Sequence, residues 1–428
     1  MNWLWETSVL DGWLPLTILV LGILGLAWLV LLFQKTYLLF VVPAAAVVTV
    51  VLVLVAKWLI EDVWKLFADP IPLNCYIWGG LAVFAILLFV PRLIRGSGVF
   101  GRIVTVLATV FAVVMAFSQI NDHFAEYPTV GSVFGINNVK TISLDEARNN
   151  EIKTVELAQW KKPSNLPGQG AVITAPIPGA TSKFSARPAK IYLPPAYFSD
   201  PRPLLPVLVL MAGQPGAPED WLVGGKLTQT MDQYAGANEG LSPIVVVADA
   251  TGSELANPMC LDSNLGNVAT YLSKDVPDWT KQNLQVQSDP KAWAIGGLSY
   301  GGTCSLQMTT NYPEIYPTFL DMSGQLEPTL GDRKRTVDQA FGGDNAKFTA
   351  VNPMDLMKSK QYPGVAGAFV VGKDDGEYRP GLTQVYQAAQ AAGMDVHFDT
   401  VPGGHSFAVW SAGLKLEMPW LGKRLGLP

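Results

Sequence analysis

The sequence predicts a chain of two unlike parts: an N-terminal segment of four transmembrane helices, then an α/β domain on a mostly parallel eight-stranded sheet. Three observations predict it. Hydrophobic residues make up 49% of the 428 residues and charged residues 15%, well short of the quarter usual in soluble domains. The shortage is local: residues 1–120 hold six of the 30 Lys/Arg and five of the 35 Asp/Glu. Beyond residue 170, short apolar runs alternate with helical and loop stretches, the rhythm of a sheet covered on both faces. The net charge of -5, without a basic patch, excludes nucleic acid as an expected partner.

Four stretches, about Leu14–Phe33, Tyr37–Ile60, Tyr76–Ile94 and Val99–Ile120, reach the roughly 20 apolar residues that cross a bilayer. They lack the polar faces that buried core helices would carry. Glu6 and Asp11 precede the first, with no Lys or Arg, which argues against a cleavable signal peptide. Lys35 lies between the first two spans, and Arg92, Arg95 and Arg102 cluster between the last two. On the other side fall Glu6, Asp11, Glu61, Asp62 and Asp69, with Lys57 and Lys65. The positive-inside rule then puts both termini outside the cytoplasm. No carboxylate or histidine stands mid-span, so anchoring is favoured over an ion pathway.

Residues 121–170 read as a polar connector. Within it Ser143 and Glu146 form a capping-box pattern for a helix from Leu144 to about Trp160, and the turn-rich Lys161–Gly170 marks a boundary. The expected domains are therefore 1–120, 121–170 and 171–428. Strands are predicted at Ala171–Ile177, Ala189–Leu193, Val207–Met211, Ile244–Ala248, Ala292–Ile295, Thr318–Met322, Ala368–Val371 and Val396–Val401. The first two, joined by a short loop, suit an antiparallel hairpin at the edge.

Chemistry enters with Gly297, Ser299 and Gly301, a G-x-S-x-G pattern directly after the fifth strand, the strand-to-helix context of a nucleophilic serine. A serine hydroxyl needs a base to take its proton as it attacks. The chain has three histidines. His123 follows the fourth span, and His397 lies inside the last strand, where a structural role is expected. His405, in Gly403-Gly404-His405-Ser406-Phe407 after the eighth strand, is correctly placed for the base. Asp374, Asp375 and Glu377 follow the seventh strand, and one of them should orient the imidazole; Asp375 is the first choice, with Asp374 and Glu377 as alternatives. Loops after parallel strands meet on one edge of a sheet, and Ser, then Asp/Glu, then His is the chain order of the α/β-hydrolase fold. The oxyanion donors are expected to be the backbone N–H of Tyr300 and, in the loop after the third strand, that of Gln214. Asp220 and Trp221 are weaker candidates for the rim of an acyl or sugar pocket.

Several stretches together resemble the esterase D-type esterase family. They are Ile191-Tyr192-Leu193-Pro194-Pro195, the turn at Ser299, Gly372-Lys373-Asp374-Asp375, and Gly403-Gly404-His405-Ser406-Phe407 with Trp410. The likeness covers about residues 170–425 and extends to the mycolyltransferases, which share stretches similar to Asp275-Val276-Pro277 with Trp279 and to Ser323-Gly324 with Leu326 and Pro328. In esterase D-like relatives the aspartate three positions after the glycine is the acid, which implies Asp375. The mycolyltransferases carry a charged, sugar-binding loop after the third strand, whereas Ala212–Pro215 has no charge.

Cys260 and Cys304 both fall in the hydrolase domain, where a disulfide would brace the nucleophile turn if the domain lies in an oxidising compartment. No histidine or cysteine spacing suggests a metal site, and no phosphate-cradling loop suggests a nucleotide, so no cofactor is expected. The resulting expectation is a membrane-anchored, extracytoplasmic serine esterase acting on acyl esters of envelope lipids or glycolipids through Ser299, His405 and Asp375. Its alternatives are an acyltransferase of mycolyltransferase type and an inactive membrane scaffold.

Overall fold

The computed structural model describes residues 2–95, 98–136, 139–148 and 152–428. Two compact units divide the chain, Met1–Asn137 and Asn138–Pro428.

The first unit contains α1 (Trp13–Val30), α2 (Tyr37–Val63), α3 (Leu73–Arg95) and α4 (Gly98–Phe124), each long and apolar enough to cross a membrane. Helices α1 and α4 run antiparallel. Gly22 meets Met115 and Gly25 meets Ala108, while Trp28 Nε1 donates to Thr105 Oγ1 at 3.1 Å. A Cβ on Gly25 would lie 2.5 Å from the Ala108 carbonyl oxygen; small residues are what let apolar helices touch this closely. Leu16, Phe40, Ile86 and Phe117 are each more than half exposed on the outer faces, the surface that lipid would cover.

The second unit is built on β1 (Ala171–Ala175), β2 (Ala189–Leu193), β3 (Val207–Met211), β4 (Ile244–Val247), β5 (Trp293–Leu298), β6 (Thr318–Met322), β7 (Ala366–Gly372) and β8 (Asp395–Val401). Their order across the sheet is β8-β7-β6-β5-β3-β4-β2-β1, and the longer helices of the unit are α5 (Leu227–Ala237), α6 (Tyr300–Asn311), α7 (Arg379–Ala391) and α8 (Phe407–Arg424). The sheet is mixed: β2 runs antiparallel to both β1 and β4, and the other pairings are parallel. The expected edge hairpin thus brings one more antiparallel pairing with it. Strands β3, β5, β6 and β7 are buried along their whole length, which is why β3, β5 and β7 read as unbroken apolar runs rather than alternating ones, while β6 carries Thr318 and Asp321 within it.

The helix expected over Leu144–Trp160 is corrected. The capping box forms, with Ser143 N donating to Glu146 Oε2 at 2.7 Å and Glu146 N to Ser143 Oγ at 3.2 Å, but the helix covers only Leu144–Arg148. Residues 149–151 lie outside the described residues. Thr154–Val155 then pairs in parallel with Arg202–Pro203. A cap fixes where a helix starts; tertiary packing sets how far it runs.

Cys260, in the loop after β4, is disulfide-bonded to Cys304 in α6 (Tyr300–Asn311), with Cα atoms 5.5 Å apart. The same loop is held a second time, because Tyr300 Oη accepts from Cys260 N at 3.1 Å and donates to Ala250 O at 2.9 Å. The bridge closes a loop of 44 residues, so replacing both cysteines by serine is expected to cost about 4 kcal/mol by the chain-entropy relation. Urea unfolding reads this directly, and an unchanged midpoint would contradict it.

Candidate active site

Parallel β3, β5, β6, β7 and β8 deliver their following loops to one edge of the sheet, with β5 beside β3 and β7 beside β8. Ser299 sits at the tip of the β5–α6 turn with φ 53° and ψ −117°, a conformation strained for any residue with a side chain. It is held by Ser299 N donating to Met322 O of β6 at 2.7 Å. The flanking glycines are required sterically: a Cβ on Gly297 would lie 2.4 Å from the Gly301 backbone, and one on Gly301 2.4 Å from Met211 O of β3.

His405 Nε2 lies 3.0 Å from Ser299 Oγ, and His405 Nδ1 lies 3.0 Å from Asp375 Oδ2. Of the three candidate acids, only Asp375 turns inward. It is 3% exposed, and its second oxygen accepts from Tyr378 N at 3.0 Å, while Asp374 and Glu377 are exposed. Gly372 is needed for the approach, since a Cβ there would lie 2.2 Å from Gly403 O in the histidine loop.

The loop after β3 reaches the serine at Gly213, whose Cβ position is 3.7 Å from Ser299 Cβ. The next residue, Gln214, directs its side-chain Nε2 to Leu255 O at 2.9 Å. Tyr300 opens α6, where first-turn N–H groups have no acceptor inside the helix. Tyr300 follows Ser299 directly, and Gln214 follows Gly213, the residue of the β3 loop that approaches the serine.

Four features escaped the sequence reading. Tyr378 stacks on the His405 ring at 3.8 Å between centroids and 15° between planes, and Trp410 meets the same ring edge-on at 4.9 Å. Trp410 stands five residues after His405, and Tyr378 three after Asp375, spacings that a helix start and a tight turn convert into contact. Arg187 clamps the β3 loop, its Nη2 donating to Gly216 O at 2.8 Å and to Asp249 Oδ1 at 2.7 Å. Burial raises the Asp249 carboxyl, yet the Arg187 bonds outweigh it and hold the group below its ordinary range. The fourth is Asp321 on β6, treated below.

Other candidates fall elsewhere. Trp221 is fully buried, with Nε1 donating to Met211 O at 2.9 Å, so it packs the core and does not rim a pocket. Asp220 accepts from Ala217 N at 2.7 Å. Asp275 accepts from Thr181 N and Ser182 N, tying a loop in place. His123 packs edge-on against Phe124 at 4.8 Å. His397 lies 2.8 Å from Glu417 Oε2, a bond that raises its pKa. The ligand-type atoms of His397, Asp399 and Glu417 lie within 4.8 Å of one another, a grouping that linear spacing did not disclose because Glu417 comes from α8 (Phe407–Arg424).

Asp321 is fully buried beneath the start of α6, where a Cβ on Gly302 would lie 2.4 Å from its Oδ1. Oδ1 accepts from Gly324 N at 2.8 Å, while Oδ2 has no partner among the described residues. Burial pushes its pKa from 3.8 up to about 7. The folded chain therefore keeps a proton that the unfolded chain releases, and this group's contribution to stability falls as pH rises from about 4 to 7. Asp321→Asn should remove that slope, so the Tm of the variant relative to wild type should rise over this interval. A difference in Tm that is constant with pH would refute the assignment.

An open, mostly parallel sheet with a strained serine between β5 and α6, and a histidine after β8, defines an α/β-hydrolase. A ferulic acid esterase shares this fold with a TM-score of 0.52 and 20% identity, over 60% of this chain and 98% of its own. An S-formylglutathione hydrolase from Agrobacterium tumefaciens shares it with a TM-score of 0.50 and 18% identity, over 61% of this chain and 98% of its own. Residues 185–421, more than half of the chain, match the Esterase family model ("Putative esterase"), and the chain belongs to that family. An uncharacterized protein of Corynebacterium glutamicum is 44% identical over 379 residues, covering 86% of each chain. That relative's coverage reaches well beyond the residues the family model matches.

Proposed function

We propose that this protein is a serine esterase anchored by α1–α4, with its catalytic unit outside the cytoplasm and an acyl ester of an envelope lipid or glycolipid as substrate. The observation that carries the chemistry is His405 standing 3.0 Å from both Ser299 Oγ and Asp375 Oδ2. As Ser299 Oγ attacks the ester carbonyl, His405 Nε2 takes its proton, and the imidazolium is stabilised by Asp375. The N–H groups of Tyr300 and Gln214 receive the oxyanion. Collapse expels the alcohol, which leaves with the proton from His405, and an acyl-Ser299 remains. Water then attacks the acyl carbon with His405 again as base, releasing the acid and restoring the serine.

The disulfide supports the extracytoplasmic side, since such bonds persist in oxidising compartments. So does the clustering of Lys35, Arg92, Arg95 and Arg102 at the opposite end of the helices from the termini. A reporter active only in the cytoplasm, fused after Pro428, should stay silent; strong signal would reverse the topology. Esterase activity is tested with p-nitrophenyl acyl esters, and substrate class by comparing envelope lipids from cells carrying wild type or Ser299→Ala. Accumulation of an acylated lipid in the variant supports hydrolysis. Loss of an acylated glycolipid would instead assign transfer to a sugar hydroxyl.

Tyr378 should act by holding His405 in line. Tyr378→Leu removes the ring while keeping the backbone bond to Asp375, and should lower kcat about three- to tenfold with KM little changed. Steady-state kinetics decide; an unchanged kcat would reduce the stack to packing.

A further inference from the structure

Arg92, in the last turn of α3, is 5% exposed. Its guanidinium lies over the Trp28 ring of α1 at 4.6 Å from the centroid. Its Nε and Nη1 are buried without a hydrogen-bond partner among the described residues. Arg95, one turn on and exposed, lies over the Tyr37 ring at 5.9 Å, and Tyr37 Oη is already used, donating to Leu29 O at 2.6 Å. Two guanidinium groups and two aromatic rings thus form one corner where α1 ends, α2 begins and α3 ends.

The carboxylates of this unit cannot neutralise that corner. Glu6 and Asp11 precede α1, Glu61 and Asp62 lie in the last turn of α2, Asp69 lies in the α2–α3 turn, and Asp122 and Glu126 lie at and just beyond the far end of α4. A helix of this length separates the two ends by about 27 Å. Glu61 is moreover engaged locally, by Lys57 and by Tyr76 Oη at 3.0 Å. A buried cation without a counter-charge is strongly disfavoured, and the attraction of a ring face offsets only part of that penalty. The remaining charge calls for an anion from outside the chain.

We infer that this corner binds the phosphate of an anionic membrane lipid, with Arg92 as the buried contact and Arg95 at the rim. The surroundings fit a lipid rather than free phosphate. Phe33 is 92% exposed and Ile94 74%, giving acyl chains an apolar surface beside the charged corner. A guanidinium offers planar paired donors to a phosphate, and basic pockets between membrane helices are a recurrent form of headgroup site. The inference rests on the reading of α1–α4 as membrane-spanning.

The test uses the full-length protein, solubilised and stripped of lipid, then offered phosphatidylglycerol or phosphatidylcholine and weighed intact by native mass spectrometry. Wild type should retain phosphatidylglycerol about five- to tenfold better than phosphatidylcholine. Arg92→Gln should lose that preference, and Arg102→Gln, altered at an exposed position of α4, should keep it. Equal retention of the two lipids by wild type overturns the inference without any variant, as does an Arg92→Gln protein that keeps the preference. Full displacement of phosphatidylglycerol by millimolar inorganic phosphate would assign the corner to free phosphate and overturn the lipid. A protein recovered from cells without detergent would instead refute the membrane reading itself.

Discussion

Ser299→Ala is expected to lower turnover of a p-nitrophenyl ester by about 10⁶-fold, and His405→Ala by a similar factor. The double variant should be no worse than either, because nucleophile and base act as one unit and removing one leaves the other without a task. The geometry makes the expectation specific. Ser299 Oγ has His405 Nε2 at 3.0 Å, and Ser299 is fixed by its bond to Met322 O and by contacts that tolerate only glycine at 297 and 301. The fold should survive the alanine, since Cβ remains and the strained backbone is held by neighbours rather than by the hydroxyl. A circular dichroism spectrum matching wild type, with activity lost, is the expected pair of results. Losses that multiply in the double variant would mean the two residues act independently.

Asp375→Asn should follow with a loss of about 10⁴-fold, through the wrong imidazole tautomer. An amide at this position can present N–H to His405 Nδ1, which then accepts and leaves Nε2 protonated, unable to receive the serine proton. The neighbours supply the control. Asp374→Asn and Glu377→Gln alter exposed side chains of the same loop and should leave kcat within about twofold of wild type, since the imidazole is oriented by the one carboxylate bonded to it, that of Asp375. A larger effect from either than from Asp375→Asn would reassign the acid.

The strands were legible because each carries its own signal. Val207–Met211 and Ala368–Val371 are apolar runs ended by turns, and burial on both faces explains the absence of alternation. The nucleophile turn was legible because strain confines its neighbours to glycine. What favours Asp375 over Asp374 and Glu377 is the direction of one side chain in a tight turn, a property of backbone geometry that three neighbouring carboxylates do not display in sequence. Trp221 was ambiguous for a related reason: a tryptophan five residues beyond Gly216 suits either a rim or a core, and its bond to Met211 O decides for the core. The Arg187 clamp joins residues 62 positions apart, and the uncompensated charge of Arg92 depends on what three helices leave out of reach. Neither has a local pattern. The segment after Ser143 shows the converse, a correct local cap with the wrong length inferred from it.

Labelling with a fluorophosphonate probe measures the central claim most directly, since it needs no knowledge of the substrate. The expected result is a single adduct on the intact full-length protein, mapped by peptide mass to Ser299, absent in Ser299→Ala and strongly slowed in His405→Ala. Failure of the wild-type protein to label, or an adduct on another residue with Ser299 unmodified, would contradict the account and favour a scaffold with an inactive hydrolase fold.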